Sequence, residues 1–158
     1  MCRLSGASIL AELSTIIPST WDRAGLELAG FVGWTTLVGI RAPVLPTEHG
    51  VYVVLRESLA ERVYLERNPA QRGTRGTAYS VDDLASKWVP DASVVYIGKA
   101  AGSRGLRSRL VPFGRKATNH SGGRSIWQLA DANDLIVAWC AHADAARAET
   151  ALIAAFIA

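Results

Sequence analysis

Two short segments decide the fold that this chain is expected to adopt: residues 50–55, GVYVVL, and residues 93–99, SVVYIGK. Both are rich in β-branched and aromatic residues and are bounded by turn-forming residues, which is the pattern of buried strands. Each segment also places a tyrosine, Tyr52 or Tyr96, close to a glycine. We therefore predict that the two segments are neighbouring strands of one small sheet.

A third strand and a C-terminal helix extend this prediction to an α+β fold. Residues 135–139, LIVAW, have the composition of a further strand. An alanine-rich helix then begins after an N-cap at Asp144. In that helix Glu149 heads an apolar stripe, so its carboxylate must either point into a cleft or be paired. The stripe consists of Leu152, Ile153 and Phe156.

A short helix over residues 106–111 follows the second tyrosine strand and is expected to end at Pro112. On helical spacing its two leucines share one face, with Arg109 beside that face and Arg107 turned well away from it. We therefore expect Arg109 to be held rigidly against the fold and Arg107 to point outwards.

The connection between the first two strands is unusually long. Residues 57–92 are polar and contain glycines, so we interpret them as an insertion, with a short helix over residues 81–88 that is capped by Ser80. We predict that residues 1–47 form an N-terminal helical extension, with an amphipathic helix over residues 7–17. The prediction is a single domain that spans the whole chain.

Composition narrows the class of protein. The chain has 158 residues, of which 49% are hydrophobic and 20% are charged, and no apolar run approaches the roughly 20 residues that span a bilayer. The N-terminus lacks the continuous apolar core of a signal peptide. Two cysteines make no disulfide framework. We expect a cytoplasmic protein with no membrane partner.

The charge is concentrated in one stretch. Between Asp91 and Asp131 there is no acidic residue but there are seven basic ones, whereas the whole chain has a net charge of +3. A local positive surface of this kind suits a polyanion such as DNA, although a solvated basic face has the same composition. The residues assigned to nucleic-acid binding are Arg104, Arg107, Arg115, Lys116, His120 and Arg124.

Lys99 does not belong to a P-loop. The arrangement GxxxxGK[ST] would need a glycine at position 93, where the chain has Ser93, and it would need a serine or threonine at position 100, where the chain has an alanine. We therefore expect no nucleotide or other small-molecule cofactor.

Four motifs occur in a fixed order: GVY at residues 50–52, YIGK at 96–99, LRSRL at 106–110 and ETALI at 149–153. Together they resemble the GIY-YIG nuclease superfamily, which includes the nuclease module of the UvrC excision-repair subunit. The resemblance covers about residues 48–156 and is greatest to stand-alone proteins that share the HSGGRxxWQL segment beginning at His120. It implies a three-stranded antiparallel sheet flanked by helices.

The resemblance also implies a role for each motif residue. Tyr52 and Tyr96 correspond to tyrosines that orient or deprotonate the attacking water, and Lys99 follows them as in the repair nucleases. Arg109 corresponds to the arginine that stabilises the scissile phosphate. Glu149 corresponds to the carboxylate that holds one Mg²⁺ or Mn²⁺ ion. The implied activity is metal-dependent endonucleolytic hydrolysis of duplex or branched DNA, in a setting such as DNA repair.

The chain departs from the family pattern in three places. The connection between Tyr52 and Tyr96 is long, Phe113 stands where relatives often have a tyrosine or histidine, and the sequence ends at Ala158, before the asparagine that usually follows the glutamate helix. His120 is a candidate replacement for the missing polar group at position 113. A nucleic-acid-binding module whose catalysis has lapsed is the alternative, and a protein-interaction module that uses residues 57–92 is a third.

Overall fold

The computed structural model describes residues 15–158, which form a four-stranded antiparallel sheet flanked by helices. The strands are β1 (Val32–Thr36), β2 (Gly50–Leu55), β3 (Val94–Ala100) and β4 (Ile136–Ala141), and they lie in the order β1-β4-β2-β3. The helices are α1 (Arg23–Leu28), α2 (Val81–Ser86), α3 (Gly105–Gly114), α4 (Arg124–Trp127) and α5 (Ala145–Ile157). The α+β class and the antiparallel sheet are confirmed.

Strand β2 lies in the interior of the sheet. It pairs with β3 on one side and with β4 on the other, and all six of its residues are buried. Because both faces of β2 are covered, its sequence is a continuous apolar run without the alternation of a half-exposed strand. Strand β3 is left at one edge of the sheet, with its second side unpaired by any strand in residues 15–158.

Strand β1 is one strand more than the sequence analysis predicted. It pairs with β4, but the register is irregular between Val32 and Thr35. Gly33 and Trp34 both have positive φ angles, of 105° and 42°. This irregularity breaks the alternation by which strands are identified, so the segment was assigned to the helical extension. The helix predicted over residues 7–17 falls almost entirely outside the described residues.

The two faces of the sheet carry separate cores. One, which we call the α3 face, contains Tyr52 and Val54 of β2 packed with Leu106, Leu110 and Phe113 of α3. The other, the α5 face, contains Val51 and Val53 packed with Ala148 and Leu152 of α5. Neighbouring residues of β2 thus alternate between the two helices, as the pleat of a strand requires.

Most helix ends lie where the sequence predicts them. Ser80 accepts a hydrogen bond from the Asp83 amide, and Asp144 accepts one from the Arg147 amide, so both predicted N-caps are confirmed. The predicted end of the third helix at Pro112 is wrong, because α3 continues to Gly114. Buried Phe113 packs this last turn against the core. That packing outweighs the loss of the backbone hydrogen bond that proline cannot donate. Within residues 15–158, no helix is both long and apolar enough to cross a membrane.

The inserted residues 57–92 are attached to the domain by buried polar side chains. Gln128, fully buried, donates from Nε2 to the carbonyls of Leu65 and Tyr79 and accepts from the Tyr79 amide. Asn68 donates to the Arg124 carbonyl. Neither residue stands out in the sequence, because an isolated glutamine or asparagine has no pattern that distinguishes it from a surface residue.

We predict that Gln128→Ala lowers the free energy of unfolding by at least about 3 kcal/mol, because it leaves three backbone groups without partners, each at a cost of about 1–3 kcal/mol. Denaturant unfolding measures the change. Gln71→Ala is the matched control in the same insertion, since Gln71 is exposed and bonds only to the nearby Gly73 carbonyl. The control should stay within about 0.5 kcal/mol of wild type. Equal losses for the two variants would contradict the anchoring role of Gln128.

Candidate active site

The two motif tyrosines meet on the α3 face. Tyr52 lies directly opposite Gly98 in the β2–β3 ladder, and Tyr96 lies one pair further along the same face. Their ring centroids are 5.8 Å apart. A Cβ atom on Gly98 would lie 2.5 Å from Tyr52 Cζ and 2.7 Å from Tyr96 Cε1. Position 98 must therefore be a glycine for a steric reason, because only a residue without a side chain leaves room for both rings.

The two tyrosines differ in their access to solvent. Tyr52 is fully buried, whereas Tyr96 is half-buried. Burial, and next the neighbouring Tyr96, raise the pKa of Tyr52 far above its usual value, although Arg109 opposes this. The Tyr52 hydroxyl therefore keeps its proton. Of the two roles that the resemblance implied for Tyr52, this environment favours orientation over deprotonation of a water.

Arg109 reaches into the same cluster from α3. Its charge lowers the pKa of His120 and opposes the raised pKa of Tyr52, so the guanidinium lies close to both. Arg109 Nε is one of four buried side-chain polar atoms in residues 15–158 that have no hydrogen-bond partner. A buried donor of this kind calls for an explanation. An anion bound beside the tyrosines would provide the missing acceptor.

The contrast that the sequence predicted between Arg107 and Arg109 is wrong in part. Arg107 does not point away from the fold, because its Nε and one terminal nitrogen both donate to the Leu45 carbonyl, at 3.0 and 2.7 Å. The backbone thus holds Arg107 in place, while the Nε of Arg109 stays unpaired. Helical spacing gives the direction of a side chain near its Cα but does not show where a long arginine ends.

His120 lies inside the cluster and not on the predicted phosphate surface. The ring is 1% exposed and stacks on Phe113 with 4.8 Å between ring centroids. Burial, and next Arg109, lower the pKa of His120 to about 4, so the ring is uncharged near neutral pH. The burial of His120 therefore does not favour its assignment to nucleic-acid binding, which stays a prediction. The glycines that follow allow this burial, because a Cβ on Gly123 would collide with Phe113 and Trp127.

Lys99 and Glu149 form an ion pair, Lys99 Nζ to Glu149 Oε2. Lys99 lies opposite Val51, which belongs to the α5 face, so this pair and the tyrosines lie on opposite faces of β3. The structure therefore does not place Glu149 in the tyrosine cluster. At the β3 edge of the sheet, a groove of about 210 Å³ joins Tyr96 to Ile153 and Phe156 of α5 and is also lined by residues 87–89 of the insertion.

Glu149 offers few ligand atoms to a metal ion. Oε2 is engaged by Lys99, which leaves Oε1 as the carboxylate oxygen outside the ion pair. No group of three or more His, Cys, Asp or Glu side chains in residues 15–158 is arranged to hold a metal ion. One carboxylate fits a hydrated Mg²⁺ ion, which commonly binds proteins through one or two carboxylates and keeps several waters.

The remaining basic residues fall into two groups. Arg104 and Arg115 are exposed at the two ends of α3. Lys116 instead donates to Asn133 Oδ1, and Arg124 donates to the Thr77 carbonyl while its guanidinium lies 4.7 Å from the centre of the Tyr79 ring. The remaining residues predicted to bind phosphate therefore include two exposed arginines at the ends of α3. The others, Lys116 and Arg124, already donate hydrogen bonds within the protein.

Comparison with known proteins adds no relative: no family model, no curated protein and no solved structure matches the chain.

We predict that Gly98→Ala disrupts the tyrosine pair and lowers the free energy of unfolding by about 1–3 kcal/mol, the usual range for overpacking. Gly102→Ala is the matched control four residues later, where a Cβ would lie 3.8 Å from Ser108 Oγ, at an ordinary contact distance. Thermal or denaturant unfolding distinguishes the two variants. If Gly98→Ala proves as stable as Gly102→Ala, the close approach of the two tyrosine rings is wrong.

Proposed function

We propose that this chain is a metal-dependent endonuclease that hydrolyses DNA phosphodiester bonds, of the GIY-YIG type that its motifs resemble. The observation that carries the proposal is the Arg109 guanidinium, which lies close to Tyr52 and Tyr96 and has a buried Nε without a hydrogen-bond partner. A half-buried guanidinium beside two phenols is suited to a phosphate whose charge increases in the transition state.

Three residues of the α3 face have separate roles in the proposed reaction. Arg109 binds a non-bridging oxygen of the scissile phosphate and stabilises the charge that develops there. Tyr96, which is half-buried and not fully enclosed as Tyr52 is, positions the water that attacks phosphorus. Tyr52 stays protonated and donates a hydrogen bond within the cluster. The water oxygen forms a bond to phosphorus as the P–O bond to the leaving oxygen breaks, and the proton that the water releases balances the one that the leaving oxygen takes up.

Glu149 is the residue that would hold a divalent ion, through the carboxylate oxygen outside its ion pair. Such an ion supplies Lewis-acid stabilisation of phosphate charge. Lys99 competes for the same carboxylate, so a phosphate that draws Lys99 away would free Glu149. The DNA strand would have to lie across the edge of β3 to contact both faces, with Arg104 and Arg115 available to neighbouring phosphates.

A nucleic-acid-binding module without turnover is the second candidate. The Lys99–Glu149 ion pair favours it, because a carboxylate that is already neutralised attracts a cation less strongly. The position of this pair on the face opposite the tyrosines supports the same alternative. Both candidates bind duplex DNA with a steep salt dependence, so affinity does not separate them, whereas cleavage does.

We predict that the protein nicks supercoiled plasmid with Mg²⁺ or Mn²⁺, that excess EDTA stops the reaction, and that Glu149→Gln abolishes it while the protein stays folded. The substitution removes the charge of the carboxylate and keeps its shape. Glu66→Gln, at an exposed glutamate of the insertion, should leave the rate unchanged. Circular dichroism checks the folding of each variant.

Two arginine variants test the anion site separately. Arg109→Ala should lower the single-turnover rate by on the order of 10² to 10³, the usual cost of losing one donor to developing charge. Arg115→Ala, at the exposed end of α3, should mainly weaken duplex binding. A wild-type protein that binds duplex but never nicks it with either metal would decide for the binding module.

A further inference from the structure

The two ring nitrogens of His120 both have partners, and these partners fix the position of its proton. Nδ1 lies 3.0 Å from the Gly123 backbone nitrogen, and Nε2 lies 3.3 Å from the Tyr52 hydroxyl oxygen. A backbone N–H can only donate, so Nδ1 must accept and therefore has no proton. The ring is then neutral and its single proton is on Nε2. His120 consequently donates to Tyr52.

This direction decides what the Tyr52 hydroxyl can do. Its oxygen accepts from His120 Nε2, so its own hydrogen must point to another acceptor. Arg109 has donors only and cannot serve. Tyr96, whose ring centroid lies 5.8 Å from that of Tyr52, has a phenolic oxygen that can accept.

The surroundings hold the ring of His120 in this orientation. It stacks on Phe113 and lies 6.0 Å from the Trp127 ring centre. Trp127 in turn donates from Nε1 to the Phe113 carbonyl, so the aromatic wall is itself fixed. The imidazole therefore cannot take the other tautomer, with a lone pair on Nε2 towards Tyr52, without losing the hydrogen bond from the Gly123 amide to Nδ1, although this amide also donates to the His120 carbonyl.

We propose that His120 is a positioning residue that makes Tyr52 a donor to Tyr96, so that Tyr96 alone contacts the attacking water. The catalytic part of this inference rests on the proposed nuclease function, whereas the order of the protons does not. Because position 113 is a phenylalanine, α3 offers no polar side chain there. His120, which comes from the following loop and stacks on Phe113, supplies the hydrogen-bond donor instead.

Long-range ¹H–¹⁵N spectra of the imidazoles test the proton order directly and need no activity. His120 should show a protonated Nε2 and an unprotonated Nδ1, unchanged between about pH 5 and pH 8, the range in which an ordinary histidine titrates. The signals are assigned by their loss in His120→Asn, with His49→Asn at an exposed site as the control. A protonated Nδ1, or titration within this range, would overturn the proposal.

His120→Asn also separates the two hydrogen bonds. Asparagine is a good N-cap, so it can keep the bond to the Gly123 amide, but it is too short to reach Tyr52. A double-mutant cycle with Tyr52→Phe should give a combined loss in denaturant midpoint smaller than the sum of the single losses. Additive losses would mean that the two side chains are not coupled and would contradict the proposal.

The rate measurement links the proton order to catalysis. His120→Asn should lower the single-turnover nicking rate at least tenfold with duplex affinity unchanged, and adding Tyr52→Phe should lower it little further. An undiminished rate in folded His120→Asn would overturn the positioning role. If wild type never nicks, the nuclease proposal fails, and the spectra and the cycle still decide the proton order. If His120→Asn does not fold, the wild-type spectra decide it, with the His120 signals assigned by elimination from His49→Asn and His142→Asn, since the chain has three histidines.

Discussion

The absence of a side chain at Gly98 is the constraint on which the candidate site depends. Tyr52 lies directly opposite this glycine, and both tyrosine rings occupy the space where a Cβ atom would be. Phe113 packs against both rings, with centroid distances of 5.9 and 6.2 Å, and His120 stacks on Phe113. A side chain is excluded for the same steric reason after His120, because a Cβ atom on Gly122 would collide with the Tyr96 hydroxyl. One close approach between two strands thus determines the shape of the whole cluster.

The pleat of β3 separates the motif residues into two sets. Tyr96 and Gly98 face α3, whereas Lys99 lies on the face that packs against α5 and is paired with Glu149. A nuclease built on this arrangement must use the edge of the sheet, because its substrate would have to contact both faces. The same separation is the physical basis of the rival proposal, because an anion held by Arg109 alone would be bound but not cleaved.

Much of the fold was predictable from local patterns. Strands β2, β3 and β4 were identified from β-branched runs, and the caps Ser80 and Asp144 from residue type and position. Strand β1 was not, because Gly33 and Trp34 adopt positive φ angles that interrupt its alternation. Pro112 misled the prediction because a proline in the last turn removes one hydrogen bond, whereas burial of Phe113 stabilises the turn.

The site was predictable in part. The cross-strand tyrosines with Arg109 followed from the motifs, and the separation of Lys99 from Tyr96 could have been predicted, since residues three apart on a strand lie on opposite faces. The burial of His120 could not, because its loop is polar and glycine-rich and only the tertiary contact with Phe113 places the ring inside. A histidine's protonation depends on such surroundings more than on its neighbours in sequence.

The most direct test of the account is the single-turnover nicking rate of Tyr96→Phe on supercoiled plasmid, measured together with its duplex affinity. The substitution keeps the ring that packs on Tyr52 and Phe113 and removes only the hydroxyl. The account predicts a rate about 10² lower, the usual scale for a general acid or base, with affinity close to wild type. A folded Tyr96→Phe protein that cleaves as fast as wild type would contradict the claim that the tyrosine cluster is the active site.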